Sequence, residues 1–217
     1  MYTLSEENYL KAIYRLSLDE EKVSASSIAE TLGNNPASVV DMLKKITTKR
    51  LIKYDKKHGA SLTEKGQRIA LQVVRKHRLW EVFLHEKLGD NWDEVHDIAE
   101  QMEHIQLADL DARLDKFLGY PKYDPHGDPI PQANGTLAKT SRTSLAAIAT
   151  GEHCYVVGIK DTNAAFLRYL EKLTIGIGTK LTIVERIPFD GSLVIQIAKQ
   201  KQTTVSGKFA ENVLVEQ

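Results

Sequence analysis

The apolar residues of this 217-residue chain change their spacing once, across "YPKYDPHGDPIPQANGTLAKTSRT" at 120–143. Upstream they recur every three or four residues, the period of an amphipathic helix. Downstream, from about Ser144, they fall in short alternating runs: "HCYVVGI", "KLTIVERI", "LVIQIA" and "NVLVEQ". A helix face repeats every 3.6 residues and a strand face every 2, so neither pattern can serve the other structure. The stretch between them is rich in Pro, Gly and polar residues and reads as a linker. The chain is therefore mainly α with a small β domain. That domain, roughly 70 residues, reads as a β-barrel interrupted by one helix, "TNAAFLRYLEKL".

The helical part divides further. "SEENYLKAIYRLS" opens with a Ser cap and places Tyr9, Leu10, Ile13, Tyr14 and Leu16 at helical spacing. A short helix from about Ser26 to Leu32 is closed by Gly33. The next is capped by Asn34 or Asn35, has Pro36 in its first turn, and carries Val39, Met42, Leu43 and Ile46 as its apolar stripe. Two short helices joined by a tight Gly/Asn turn predict a helix-turn-helix. "LIKYDKKHGASLT" alternates, turns at His58-Gly59 and alternates again, which adds a hairpin wing. A long helix then runs from Thr63 to about Leu88 and stops at Gly89. A second covers about Asp93 to Gln106, and a third ends at Gly119. These three hold more apolar residues than one packing face needs, which predicts a homodimer interface. The expected boundaries are 1–63 for the winged domain, 64–120 for a helical dimerisation and metal-binding domain, 121–143 for the linker and 144–217 for the barrel.

Charge is balanced overall at 29 basic against 29 acidic residues, but it is unevenly placed. From Lys44 to Arg78 there are twelve Lys/Arg and two acidic residues; from Asn91 to Asp128 there are ten acidic and three basic. A basic segment followed by an acidic one suits a polyanion-binding part and a cation-binding part. The single cysteine, Cys154, excludes an internal disulfide and fits a reducing, cytoplasmic setting. There is neither a signal-peptide pattern at the start nor an apolar run long enough to span a membrane.

A recognition helix needs small or polar side chains to reach base edges, with Lys and Arg beside them to hold phosphates. Asn35, Ala37, Ser38, Val40 and Asp41 occupy the N-terminal end of the second helix of the motif. Lys44, Lys45, Lys49 and Arg50 follow, and Lys53, Lys56, Lys57 and His58 lie on the wing. The implied partner is double-stranded DNA.

The stretch "EVHDIAEQMEHI" (94–105) holds two histidines and four acidic residues. At 100° per residue, His96, Glu100, Glu103 and His104 share an arc of roughly 100°, with Val95, Ile98, Ala99, Met102 and Ile105 opposite. This predicts a helix that packs one face and presents imidazole and carboxylate on the other. On the long helix, His77 and Glu81 stand at i and i+4. Imidazole and carboxylate without thiolate suit Mn²⁺, Fe²⁺, Co²⁺ or Zn²⁺. No Glu-x-x-His, His-Glu-x-x-His or Gly-rich phosphate loop occurs, so the usual di-iron, zinc-protease and nucleotide sites have no motif here.

"NYLKAIYRL", "RKHRLWE", "VHDIAEQMEHI" and "DPHGDPIP", in that order, resemble the diphtheria-toxin-repressor family of metal-dependent transcriptional regulators, over essentially the whole chain. The resemblance implies an SH3-like (FeoA-type) C-terminal barrel and two metal sites per subunit. One would use His77, Glu81 and His96, with Asp161 of the barrel (or Asn163) as a further candidate. The other would use Glu100, Glu103, His104 and the residue at position 8, here Asn8. Glu100 stands where iron-sensing members have cysteine, which implies the manganese branch: Mn²⁺ first, Fe²⁺ second, and Zn²⁺, Co²⁺ or Cd²⁺ as surrogates. Lys11 replaces a glutamate that pairs two close metals in compact manganese regulators. The implied activity is metal-dependent repression of metal-uptake genes by a homodimer on a palindromic operator, without catalysis. Two rivals are a hydrolase built on the His/Glu cluster, which lacks an evident nucleophile, and an interaction protein working through its barrel.

Overall fold

The computed structural model describes residues 2–138, 141–198 and 202–217. It falls into two compact units, one of Met1–His77, Glu100–Phe117 and Pro131–Leu137, the other of Arg78–Ala99, Leu118–Ile130 and Ala138–Gln217.

The first unit begins with α1 (Leu4–Leu16). Its cap is Thr3 rather than the expected Ser5, because Glu6 completes a reciprocal capping box with Thr3. Helix α2 (Ala25–Leu32) stops at Gly33, whose φ of 62° turns the chain into α3 (Pro36–Thr48). Asn35 caps α3 by accepting from the Ala37 N–H, and Pro36 fills the first turn, where no donor is needed. Leu10, Ile13, Ile28, Val39, Leu43 and Ile46 are fully buried together, each contributing about 1.5–3 kcal/mol of transfer free energy. The wing is the antiparallel pair β1 (Ile52–Asp55) and β2 (Gly59–Leu62). Gly59 has a φ of 79°, and a Cβ there would strike the Val23 carbonyl, so the hairpin can pack against that segment only with glycine.

Helix α4 (Glu64–Phe83) widens into one π-turn over Leu84–Leu88 and ends at Gly89 with φ 78°. Helix α5 is shorter than its periodicity suggests, Val95–Met102, and α6 is Leu110–Phe117. The face expected to pack is partly reversed. Ile98 and Ile105 are 36% and 43% exposed, while Glu103 is completely buried. Periodicity identifies two faces of a helix but not which one meets the core. Here the polar side finds buried partners, and part of the apolar side stays open in the single chain.

The second unit contains a six-stranded antiparallel sheet with the order β3-β8-β4-β5-β6-β7. Its strands are β3 (Thr143–Ser144), β4 (His153–Ile159), β5 (Lys180–Arg186), β6 (Leu193–Ile197), β7 (Gln202–Val205) and β8 (Val213–Glu216). Among the described residues β3 and β7 are unjoined edges, so the sheet is open. Inward Cys154, Val156, Leu181, Ile183, Leu193, Ile195, Val213 and Val215 form its core with Leu167 and Leu170 of α7 (Ala164–Lys172). Strand β7 and α8 (Gly207–Asn212) carry few apolar residues, and the alternation pattern passes over them. The segment read as a linker is built into the fold: Asp124 and His126 are buried, Tyr123 bridges Pro129, and the His126 carbonyl accepts from the Ile159 N–H at 3.1 Å. Residues 139 and 140 of it lie outside the described residues. Among those residues, no helix is long and apolar enough to cross a membrane.

Candidate metal centre and nucleic-acid interface

In the first unit, three elements bring ionisable groups together. The buried Lys11 ammonium of α1 lies 2.7 Å from Glu100 Oε1 on α5 and 2.6 Å from Glu103 Oε2 just beyond it. The same Glu103 oxygen is 2.6 Å from His77 Nδ1 of α4. His77, Glu100 and Glu103 therefore offer ligand atoms within 4.8 Å of one another. Burial alone would push the Glu103 carboxyl up. His77 and the Lys11 charge outweigh that and hold it below the ordinary glutamate range. Glu103 is thus an ionised carboxylate with one oxygen committed to protein partners.

Its other oxygen makes no hydrogen bond. Among the described residues, buried side-chain atoms without a hydrogen-bond partner are Asn8 Oδ1, Glu103 Oε1, His104 Nε2 and Arg75 Nε. Glu103 Oε1 and His104 Nε2 face each other at 3.4 Å. An unsatisfied buried polar atom costs about 1–3 kcal/mol, so proteins rarely keep several among neighbouring residues without a reason. A carboxylate oxygen and an imidazole nitrogen side by side are donors suited to a divalent first-row cation, and an amide oxygen such as that of Asn8 is of the same kind. His104 is held from behind: its Nδ1 is 2.6 Å from Glu7 Oε2 of α1. Both Glu103 and His104 follow the last turn of α5, so the helical arc does not set the directions of these two neighbouring side chains.

The second unit holds its own cluster. Glu81 of α4 accepts from His96 Nδ1 of α5 at 3.1 Å, and His126 Nδ1 lies 3.7 Å from the same oxygen. Glu81, Asp124 and His126 have ligand atoms within 4.8 Å of one another. Burial, with Glu81 and Asp128 nearby, pushes the Asp124 carboxyl well above its ordinary range against the pull of Arg78. Burial likewise lowers the His126 imidazole. His126 stacks on Trp92 with ring planes 2° apart, and its Nε2 meets the Trp92 carbonyl at 3.1 Å. The sequence pattern does not reveal Asp124 and His126 as members of a cluster, although both lie in the motif "DPHGDPIP". Two short-range polar residues in a Pro/Gly segment give no periodic signal. His77 stands one turn before Glu81 on α4, the division between the two units falling just after it. Asp161 and Asn163 are not among these clusters: they line a cavity of about 420 Å³ with Phe166, Ser206, Lys208 and Asn212. There Asp161 accepts from the Asn163 N–H and Asn163 caps α7.

Of the residues expected to meet DNA, Asn35, Ala37, Ser38 and Asp41 are exposed along the start of α3, with Val40 half-buried. Lys44, Lys45 and Lys49 follow on the same helix and its cap, and Lys56 and Lys57 are exposed at the tip of the wing. Asp55 braces that tip by accepting from the backbone N–H groups of Lys57 and His58. Lys49 and Lys45 also reach the buried Glu6 carboxylate of α1, at 2.6 and 3.4 Å. A small-residue helix start flanked by lysines, with a lysine-bearing hairpin beside it, has the shape and charge to enter a groove between phosphates.

Three family models cover most of the chain. They are the iron-dependent repressor N-terminal DNA-binding domain over residues 1–60, the iron-dependent repressor metal-binding and dimerisation domain over 63–132, and the FeoA domain over 143–217. The fold matches a solved manganese-dependent transcriptional repressor in complex with manganese, at a TM-score of 0.88 and 35% identity, over 97% of this chain and 98% of that one. A transcriptional regulator MntR from Oceanobacillus iheyensis is 35% identical over 124 residues, 57% of this chain and 84% of the relative. The iron-dependent repressor IdeR of Mycobacterium tuberculosis is 38% identical over 127 residues, 58% of this chain and 54% of its own length. The match thus spans about half of that mycobacterial relative.

Proposed function

The chain belongs to the diphtheria-toxin-repressor family of metal-dependent transcriptional regulators, and on that premise we propose that it is a repressor whose grip on DNA is tightened by a divalent cation, Mn²⁺ before Fe²⁺. The observation that carries the reading is that Glu103 Oε1 and His104 Nε2 are buried side by side without a hydrogen bond, with Asn8 Oδ1 of α1 likewise buried and unbonded. Together with Glu100 they would hold the ion. A cation there would satisfy donors from α1 and from the end of α5 at once. That would fix α1, and with it the Glu6–Lys45/Lys49 attachment to the recognition helix. Carboxylate and amide oxygens with one imidazole favour a harder ion than a thiolate site would, which supports Mn²⁺. His77, Glu81 and His96 are proposed as ligands of a second ion. Asp161 has less support, since it lines a separate cavity.

The proposed division is 1–63 for a winged helix-turn-helix, 64–120 for the dimerisation and metal-binding helices, 121–143 for a connection and 144–217 for an SH3-like barrel. The exposed Ile105, Leu107 and Phe117 of the first unit offer apolar surface for a homodimer. Two recognition helices in such a dimer would enter successive major grooves, about 34 Å apart, on a palindromic operator. A titration of DNA binding by chelated protein against several divalent metals tests the reading. Mn²⁺ should tighten specific binding by about 1–3 kcal/mol, and DNA must tighten Mn²⁺ binding by the same factor. Equal DNA affinity in chelator and in excess Mn²⁺ would overturn it.

A further inference from the structure

We propose that Glu7 is a positioning residue for the metal centre: its carboxylate holds His104 in the tautomer and orientation that present Nε2 to the cation. This rests on the reading that Glu103 and His104 ligate metal. Glu7 lies on the buried side of α1, only 6% exposed. Its Oε2 is 2.6 Å from His104 Nδ1, and its Oε1 accepts from Gln106 Nε2 at 3.3 Å. Gln106 also donates to the Tyr2 carbonyl at 3.4 Å, so the amide is itself fixed. With both oxygens engaged, Glu7 is anchored behind the imidazole and is not a ligand.

A carboxylate can only accept, so His104 must donate from Nδ1. A neutral imidazole that donates from one nitrogen carries its lone pair on the other. Here the other is Nε2, which is buried, has no hydrogen-bond partner and lies 3.4 Å from Glu103 Oε1. A carboxylate behind a metal-binding imidazole also raises the basicity of the ligating nitrogen. His104 sits beyond the end of α5, where no helical backbone sets its ring, and a residue 97 positions away does so instead. Glu7 immediately precedes Asn8, so α1 is tied to the metal-binding turn at two adjacent residues. One tie passes through the ion and the other does not.

The test uses the full chain with Mn²⁺ as the probe. Nitrogen-15 NMR of the metal-free protein should find His104 as the Nδ1–H tautomer, and an Nε2–H tautomer overturns the proposal. In calorimetry, Glu7→Leu should weaken Mn²⁺ binding about 10- to 100-fold, the range for outer partners of ligating histidines. Glu7→Gln keeps an oxygen for the Nδ1–H and should restore most of that loss. Unchanged affinity in Glu7→Leu, or Glu7→Gln falling as far as Glu7→Leu, overturns the orienting role. These readouts need no DNA. Wild-type protein that binds Mn²⁺ but ignores it on DNA would sink the proposed function while leaving this inference standing.

Discussion

The carboxylate–imidazole clusters of the two units are built from the same residue types and differ in how their atoms are satisfied. In the first, Lys11 and His77 take one Glu103 oxygen and Glu7 takes one His104 nitrogen, which leaves Glu103 Oε1 and His104 Nε2 buried without a hydrogen bond, 3.4 Å from each other. In the second, Glu81 is met by His96, Asp124 by Arg78 and by the N–H groups of His126 and Asp128, and His126 by Trp92. Its strain shows instead in the raised Asp124 carboxyl, where two further carboxylates crowd a buried acid. The lesson is that acidic residues and histidines in proximity do not by themselves define an ion site. Donor atoms remain in the first cluster after the protein has satisfied its own, whereas an ion held by His77, Glu81 and His96 would have to displace contacts such as the His96–Glu81 hydrogen bond.

The largest expected effect breaks the first cluster. Glu103→Gln and His104→Ala should each weaken Mn²⁺ binding by about two orders of magnitude, roughly 2.7 kcal/mol, and abolish metal-enhanced DNA binding. Calorimetry with a parallel DNA titration measures both, and circular dichroism checks that the fold survives. Near-normal Mn²⁺ binding in either variant would move the primary ion elsewhere.

Next in size is the link through α1. Asn8→Leu should leave metal bound by the other residues and remove the coupling to DNA, a change of about 1–3 kcal/mol. Asn8→Asp adds a negative charge and should shift activation to lower Mn²⁺ concentration. If Asn8→Leu still responds fully to metal, coupling runs by another route, such as Glu7.

A surface with neither cluster sharpens the contrast. Lys57→Ala, at the exposed wing tip, should weaken binding to all DNA sequences and lower the salt slope by roughly one unit. Metal affinity in the absence of DNA should not change. A shift in Mn²⁺ affinity with an unaltered salt slope would contradict the division of roles.

The smallest effect probes the second cluster. The Asp124 carboxyl is raised in the folded state, so its contribution to stability is fully present below the unfolded value. That contribution is lost as pH rises through the folded value. Asn mimics the neutral acid and keeps an oxygen for the His126 and Asp128 N–H groups. Asp124→Asn should therefore raise the thermal midpoint by about 2–4 °C or less at pH 8 and by less still at pH 5. A large fall at pH 8 would mean that the ion pair with Arg78 dominates instead.

The sequence by itself determined the order of the elements from α1 to α6, the helix-turn-helix with its hairpin, and the change from helical to strand structure. These follow from caps, glycine turns and apolar periods, which act over a few residues. Gly33, Asn35, Pro36 and Gly89 each end or begin a helix where local chemistry says they should. It also marked Glu100, Glu103 and His104 by composition. The tertiary structure decided which side of that segment is buried, that α5 ends before Glu103, and that β7 and α8 complete the last domain. It also decided the partners that give each polar group its role. Lys11 with Glu103 and Glu7 with His104 are contacts across 92 and 97 residues. No local period encodes such a pairing, because it exists only once separate helices have packed and excluded water from the charges between them.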